Sequence, residues 1–300
     1  MNHVVVVQLH DLKSEMQSRG LMKPAVSILI RVLFTGLILG IGFISFWAWT
    51  YSRDLPNLNT LEGLKFHAGS PQPLHWSVPN STNAIFDSKP VPLENIAPLM
   101  LSAIVSSEDR RFYDHAGFDL VGLGRSLFET ALGHQQGGST ITTQLVRSTI
   151  LKPQKNLKRK VQELWLSNQL EQRLSKAEIL TGYINTVYWG GQLYGIRAAA
   201  KAYFAKSPET LTLAESIYLA ALLPAPNTRY QNFRMVRDHD FKSRLERLVQ
   251  DRRITKQVAH QAWLEPLQPK GWYVHYDAQG RLISAVFVEP TDSFKPSKTR

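Results

Sequence analysis

The chemistry this sequence can offer is carried by two glutamates, a glycine-hydroxyl loop and a run of cations. Glu108 opens the segment EDRRFYDHAG, residues 108–117, directly after the apolar LMLSAIV of residues 99–105. A helix ending there would set Glu108 against an apolar wall, where lost hydration favours the neutral carboxyl and raises its pKa, as suits a general base. The same residues allow a plainer arrangement, in which Glu108 and Asp109 pair with Arg110 and Arg111 at a helix end and His115 is structural. Glu163 is the second acid. On a helix over 157–174, about 100° per residue puts Glu163 on the stripe of Leu166, Leu170 and Leu174. A carboxylate there is costly without a task. The competing account is an ion pair with Arg159 one turn earlier, worth about 0.2–0.5 kcal/mol on an exposed helix. Between the two acids lies GGSTITTQL, residues 137–145. Its glycines could bring backbone N–H groups and the Ser139 or Thr140 hydroxyl to phosphate oxygens. It lacks the Lys-Ser ending of a P-loop, and a simple turn before a helix would read the same. Arg147, Lys152, Lys155, Lys158, Arg159 and Lys160 follow it, and loop and cations together point to a diphosphate.

The elements that must position these groups occupy 300 residues, enough for one globular domain and accessory segments. The absence of cysteine excludes disulfides and thiolate metal sites. A net charge of +11 suits an anionic partner: nucleic acid, a membrane surface or a phosphorylated substrate. The excess is concentrated inside the chain, with eight basic and two acidic residues over 145–176, against four and two over the first 31.

Residues 32–51 carry no charge over twenty positions, the length a helix needs to cross a hydrocarbon core of about 30 Å. A cleaved signal peptide fits less well, because the basic region before it is long and no small-x-small site follows at once. Lys13, Arg19, Lys23 and Arg31 precede the run while Arg53 and Asp54 nearly cancel after it, which places residues 1–31 in the cytoplasm. Trp47, Trp49 and Tyr51 suit an outer aromatic belt. Residues 52–87 form a proline-rich linker, extended with a strand or two. From Val91 the pattern is mainly α. Ser175 and Glu178 fit a capping box that starts a helix over 176–187. Gly190, Gly191 and Gly195 interrupt, helical patterns follow over 196–204 and 213–223, and Pro224 and Pro226 stop the last. A basic helix is expected over 241–258. Residues 272–288 alternate around DAQG and predict a β-hairpin.

The ordered motifs E-D-x-x-F-x-x-H-x-G at 108–117, G-G-S-T-I-T at 137–142 with Gln144, and R-K-x-x-E at 159–163 resemble the peptidoglycan glycosyltransferases, the lysozyme-like family of penicillin-binding proteins. S-K-x-E-I-L-x-x-Y-I-N at 175–185, Y-G-I-x-A-A at 194–199, Tyr203-Phe204 and L-P-x-P at 223–226 extend the resemblance over 88–268, leaving 269–300 as a C-terminal extension. No S-x-x-K follows, so the chain is similar to monofunctional, membrane-anchored transglycosylases and no transpeptidase activity is expected.

The resemblance implies a mainly α, lysozyme-like glycosyltransferase domain with one N-terminal transmembrane helix. It also implies inverting transfer from a polyprenyl-diphosphate-linked glycan chain to lipid II, forming a β-1,4 bond. By motif, Glu108 is the general base and Glu163 the second catalytic glutamate. Ser139, Thr140, Gln144, Arg147, Lys155, Arg159 and Lys160 bind substrate, and Asp109 and His115 support. No metal site or resident cofactor is required, although a divalent ion is compatible. The implied setting is the bacterial cytoplasmic membrane, single-pass, with the catalytic domain on the periplasmic side, cell-wall synthesis proteins as partners and no nucleic acid.

Four positions depart from the family pattern. Thr143 replaces a glutamine, Arg147 a lysine, Lys155 an arginine and Thr181 a glutamate; lysine and arginine are not interchangeable at phosphates. Residues 118–133 are apolar enough for a membrane-proximal jaw, or for ordinary core packing. Two rival readings remain. A lysozyme-like hydrolase would have no use for the cations, and an inactive lipid II-binding scaffold would tolerate the four departures.

Overall fold

The computed structural model describes residues 22–52, 85–86, 90–133, 137–151 and 157–288, in two units, Met1–Leu55 and Pro56–Arg300. In the first, α1 spans Met22–Ser52. It starts earlier than the uncharged run, since Pro24 is tolerated in a first turn and helical hydrogen bonding does not stop where apolar residues do. Its Ile30–Trp47 stretch has mean hydropathy 1.9 and none of it is buried, and among the described residues it alone is long and apolar enough to cross a membrane. The rings of Phe43, Phe46, Trp47 and Trp49 cluster near its C-terminal end.

The second unit is mainly helical: α2 Pro98–Glu108, α3 Leu120–Ala131, α4 Ile141–Thr149, α5 Leu157–Glu171, α6 Lys176–Thr186, α7 Ile196–Phe204 and α8 Leu213–Leu222. α8 is buried on all sides from Ala214 to Leu222, as an apolar helix at the centre of a core must be. α2 starts on Pro98, whose missing N–H costs nothing at a first helical position, and lays Met100, Ala103 and Ile104 against α8. α4 packs between α5 and α6. Three of these helices start with reciprocal caps, Thr140 with Thr143, Ser175 with Glu178 and Thr212 with Glu215.

The expected basic helix over 241–258 is not one element. Helical structure enters from Phe233, passes through a π-helical stretch Val236–Phe241 and continues as α9, Lys242–Gln250. It breaks where Arg252 takes φ +55, and Thr255 caps α10, Lys256–Leu264. Arg237 lies between the rings of Phe241 and Trp263, 4.4 and 4.2 Å from their centroids, and ties these helices together.

β-structure is sparse. β1, Ile85–Phe86, runs parallel to β2, Leu193–Tyr194. The hairpin of β3, Trp272–Tyr276, and β4, Leu282–Phe287, is antiparallel as the alternation predicts. It does not stand apart as an extension. Trp272 packs on Phe233 at 5.5 Å and donates from its indole N–H to the Tyr230 carbonyl at 3.0 Å.

Part of the apolar surface of α3 is open: Leu120, Val121 and Phe128 are 69%, 66% and 64% exposed, which excludes ordinary core packing for these three. Gly117 sits before this helix at φ +95, so close to α5 that a Cβ would lie 2.6 Å from the Ser167 carbonyl carbon. Both the backbone angle and the missing Cβ are needed there. Gly117→Ala is therefore expected to cost on the order of 1–3 kcal/mol, as overpacking does. A thermal melt unchanged from wild type would show that the loop is not clamped to α5.

Candidate active site

Glu108 is the last residue of α2 and is half-buried. Its Oε2 accepts a hydrogen bond from Gln144 Nε2 at 3.0 Å, and Gln144 Oε1 accepts from the Tyr183 hydroxyl at 3.2 Å. Tyr183 is fully buried, so the amide is fixed from both sides and presents its N–H to the acid. The pairing of Glu108 and Asp109 with Arg110 and Arg111 does not occur. Arg110 pairs with Asp251 and Arg111 with Asp119, which also caps α3 through the Gly122 N–H.

Three other arginines act on Glu108 by their charge alone, with no ion pair to it. Arg247 donates to the Ser106 and Ser107 carbonyls at 3.4 Å, at the end of α2 where cations are favoured. Arg229 and Arg244 share Asp240, at 3.1 and 3.7 Å. Asp240 lies in the π-helical stretch, a geometry frequent at functional sites. Burial pushes the Glu108 carboxyl above its ordinary value, opposed by the Gln144 hydrogen bond and by Arg244, Arg229 and Arg247. Burial in turn draws the Arg244 guanidinium down to about 10, so it still carries its charge at neutral pH. These arginines escape a motif-based reading, and Tyr183 stands in the motif at 175–185 without a role assigned to it. The available signal was the spacing of Arg244 and Arg247, which flank the buried Leu245 and Leu248 of α9.

Asp109 turns the other way. The chain leaves the helix at Asp109, with φ −157 and ψ 77, and buries its carboxylate. Oδ2 accepts from the Ile141 N–H at 3.0 Å, and His115 Nε2 lies 3.0 Å from the same oxygen. An acid is favourable at a helix N-terminus, and this one fixes the start of α4. Asp109 and His115 thus form a buried pair at the start of α4.

The Thr140 side chain, one of the two hydroxyls the sequence offers to a phosphate, is instead buried, accepting from the Thr143 N–H and donating to the Gly117 carbonyl at 2.7 Å. Thr140 caps α4, and no hydroxyl is left for a ligand. Thr143 closes the same cap, which is how threonine serves where the family pattern has glutamine. Ser139 remains half-exposed, 3.5 Å from Lys160 Nζ.

Glu163 is 1% exposed, among Leu166 and Leu170 on the buried face of α5. Lys160 Nζ approaches its Oε2 at 3.4 Å and Arg159 Nε its Oε1 at 3.5 Å. The pair with Arg159 is therefore real, but it is not the exposed pair that would account for a surface acid. Oε1 has no hydrogen bond among the described residues, an unusual state for a buried carboxylate oxygen. Ser139, Lys160, Glu163 and Arg159 form one chain of contacts. Arg147, one turn beyond Gln144, makes no ion pair among the described residues. Thr181 donates to the Ala177 carbonyl inside its own helix at 2.7 Å and brings no charge to the site. Lys152 and Lys155 lie outside the described residues.

A family model described as Transglycosylase matches residues 80–252. Penicillin-binding protein 1A of Vibrio cholerae is 35% identical over 240 residues, covering 78% of this chain and 29% of that protein. Penicillin-binding protein 1A of Escherichia coli is 45% identical over 141 residues, 46% of this chain and 17% of that protein. The chain thus spans less than a third of the length of either relative. A crystal structure of penicillin-binding protein 1A from Haemophilus influenzae aligns with 60% of this chain and 18% of that one, at 20% identity and TM-score 0.34.

The electrostatic balance at Glu108 is measurable without any substrate. In a carboxyl-carbon NMR titration Glu108 should protonate at higher pH than a glutamate in an unstructured peptide, and Arg244→Met should move it higher still. A lower value in that variant would mean that Arg244 does not act on Glu108.

Proposed function

We propose, from the premise that this chain belongs to the transglycosylase family, that it polymerises peptidoglycan glycan chains from lipid II. One observation carries the reading: a desolvated carboxylate held by Gln144 on one side of α4, and a cation cluster around a second buried carboxylate at the start of that helix. The first suits proton removal and the second suits a diphosphate.

In this mechanism the acceptor sugar hydroxyl of lipid II approaches Glu108, which takes its proton as the oxygen attacks the anomeric carbon of the donor chain. The new C–O bond forms on the face opposite the diphosphate, the old one breaks, and the polyprenyl diphosphate leaves with the bonding electrons. Stereochemistry inverts from α to β, as in an inverting glycosidase with a sugar hydroxyl in place of water. Arg147, Arg159, Lys160 and Ser139 stabilise the departing diphosphate, and Lys155 is assigned to the same task by motif. Glu163 holds Arg159 and Lys160 in place. A carboxyl with raised proton affinity is the better base, because proton transfer is most efficient when the pKa approaches the working pH.

The reading requires no resident cofactor. Among the described residues no three His, Cys, Asp or Glu side chains gather to cage an ion. Glu163 Oε1 is a single oxygen of the kind a hydrated Mg²⁺ accepts together with substrate phosphates. Such an ion would neutralise diphosphate charge when bound. α1 supports anchoring in the bacterial cytoplasmic membrane, and the exposed stripe of α3 supports work at its surface, with the catalytic unit on the periplasmic side.

Glu108→Gln is expected to lower conversion of purified lipid II to polymer by about 10²- to 10⁴-fold, the usual contribution of a positioned base, with an unchanged melt. Product length on gels decides the matter. Wild-type-like polymerisation by the variant would remove Glu108 from the mechanism. Shortening of preformed glycan by the unmodified protein would favour a hydrolase instead, and no turnover at all would favour a scaffold.

A further inference from the structure

A cleft of about 480 Å³ is lined on α2 by Leu101, Ser102, Val105 and Ser106. Arg110, Arg111, Arg125 and Arg253 line it with Asp114 and Asp251, over a wall that includes Leu101 and Val105. None of Glu108, Gln144, Ser139, Lys160 or Glu163 lines this cleft. Asp251 is engaged twice, by Arg110 and by the Ser106 hydroxyl at 2.7 Å, and Arg111 is held by Asp119. Arg125 and Arg253 are exposed and make no ion pair among the described residues. Four guanidinium groups thus face two carboxylates in the lining, and two of the guanidiniums are available to an anion.

The surroundings of Arg125 narrow the choice of anion. Residues 121, 125, 128 and 132 follow helical spacing along one side of α3, so Arg125 stands in a stripe with Val121, Phe128 and Leu132. All three apolar side chains are more than half exposed, as is Tyr113 at the cleft itself. A free phosphate would use the arginines and leave this apolar surface in water. An amphiphile with a phosphate head and acyl chains would cover both.

We propose that this cleft binds the phosphate headgroup of an anionic phospholipid, with Arg125 and Arg253 as its principal contacts and the acyl chains lying along Val121 and Phe128. The site is separate from the diphosphate-binding cations. It fits the proposed membrane placement but does not depend on the polymerase reading, since binding is measured with no turnover. Its role would be to orient the catalytic unit at an anionic bilayer surface.

The test uses the full chain in detergent, titrated by calorimetry with short-chain phosphatidylglycerol, short-chain phosphatidylcholine and inorganic phosphate. Saturable binding is expected for phosphatidylglycerol alone. Arg125→Glu with Arg253→Glu should weaken it about tenfold or more, in line with about 1 kcal/mol per basic residue at an anionic lipid surface. Lys242→Glu with Lys256→Glu, the same charge change at exposed positions elsewhere, should leave it unaltered. Any of three results overturns the proposal: equal affinity for phosphatidylcholine, inorganic phosphate binding as tightly as the lipid, or equal loss in the two double variants. Glu108→Gln should bind phosphatidylglycerol normally, so failure of the polymerase assignment and failure of this one are read separately.

Discussion

The carboxylate of Asp109 accepting the Ile141 N–H is the contact on which the site depends. It fixes where α4 begins, and both halves of the candidate chemistry hang on that helix. Gln144, three residues on, meets Glu108, while the loop just before the helix sets Ser139 beside Lys160 and so beside Glu163. The Thr140 cap and the tight passage of Gly117 over α5 hold the same junction from the other side. Adjacent acids thus divide the work: Asp109 organises the interior, and Glu108 stays half-buried, hydrogen-bonded to Gln144.

Around Glu108 two electrostatic effects compete. Loss of water raises the carboxyl's affinity for a proton, while the Gln144 amide and three arginines lower it. Burial is the larger effect. Each pKa unit corresponds to about 1.4 kcal/mol between protonation states, so modest changes in this shell would retune a base. Glu163 stands in a different setting. It is wholly buried yet remains next to two cations, and its incompletely bonded oxygen marks an arrangement suited to a charged ligand more than to maximal stability.

Features set by neighbours within a turn or two were legible in the residues themselves. The Ser175 cap, the placement of Glu163 among Leu166 and Leu170, the hairpin over 272–288 and the apolar span of α1 all follow from periodicity and local hydrogen bonding. What escaped depends on contacts between distant segments. Arg229, Arg244 and Arg247 approach Glu108 from more than 120 residues away, and nothing near them announces an acid. Thr140 had two uses for one hydroxyl, ligand or cap, and only the position of the Gly117 carbonyl decides between them. The break at Arg252 is likewise hidden, because the basic pattern of 241–258 runs through it. Helical spacing reveals a buried stripe, but not which arginine crosses to which helix.

The central claim is that Glu108 is a base whose proton affinity is set by burial against Gln144 and the arginines. The most direct measurement is the pH dependence of kcat/KM for lipid II consumption by the unmodified chain and by Arg244→Met. The account predicts an acid limb in both, displaced to higher pH in the variant, because loss of a positive charge makes the carboxylate harder to form. An acid limb at the same pH in both, or a rate that does not fall on acidification, would contradict it.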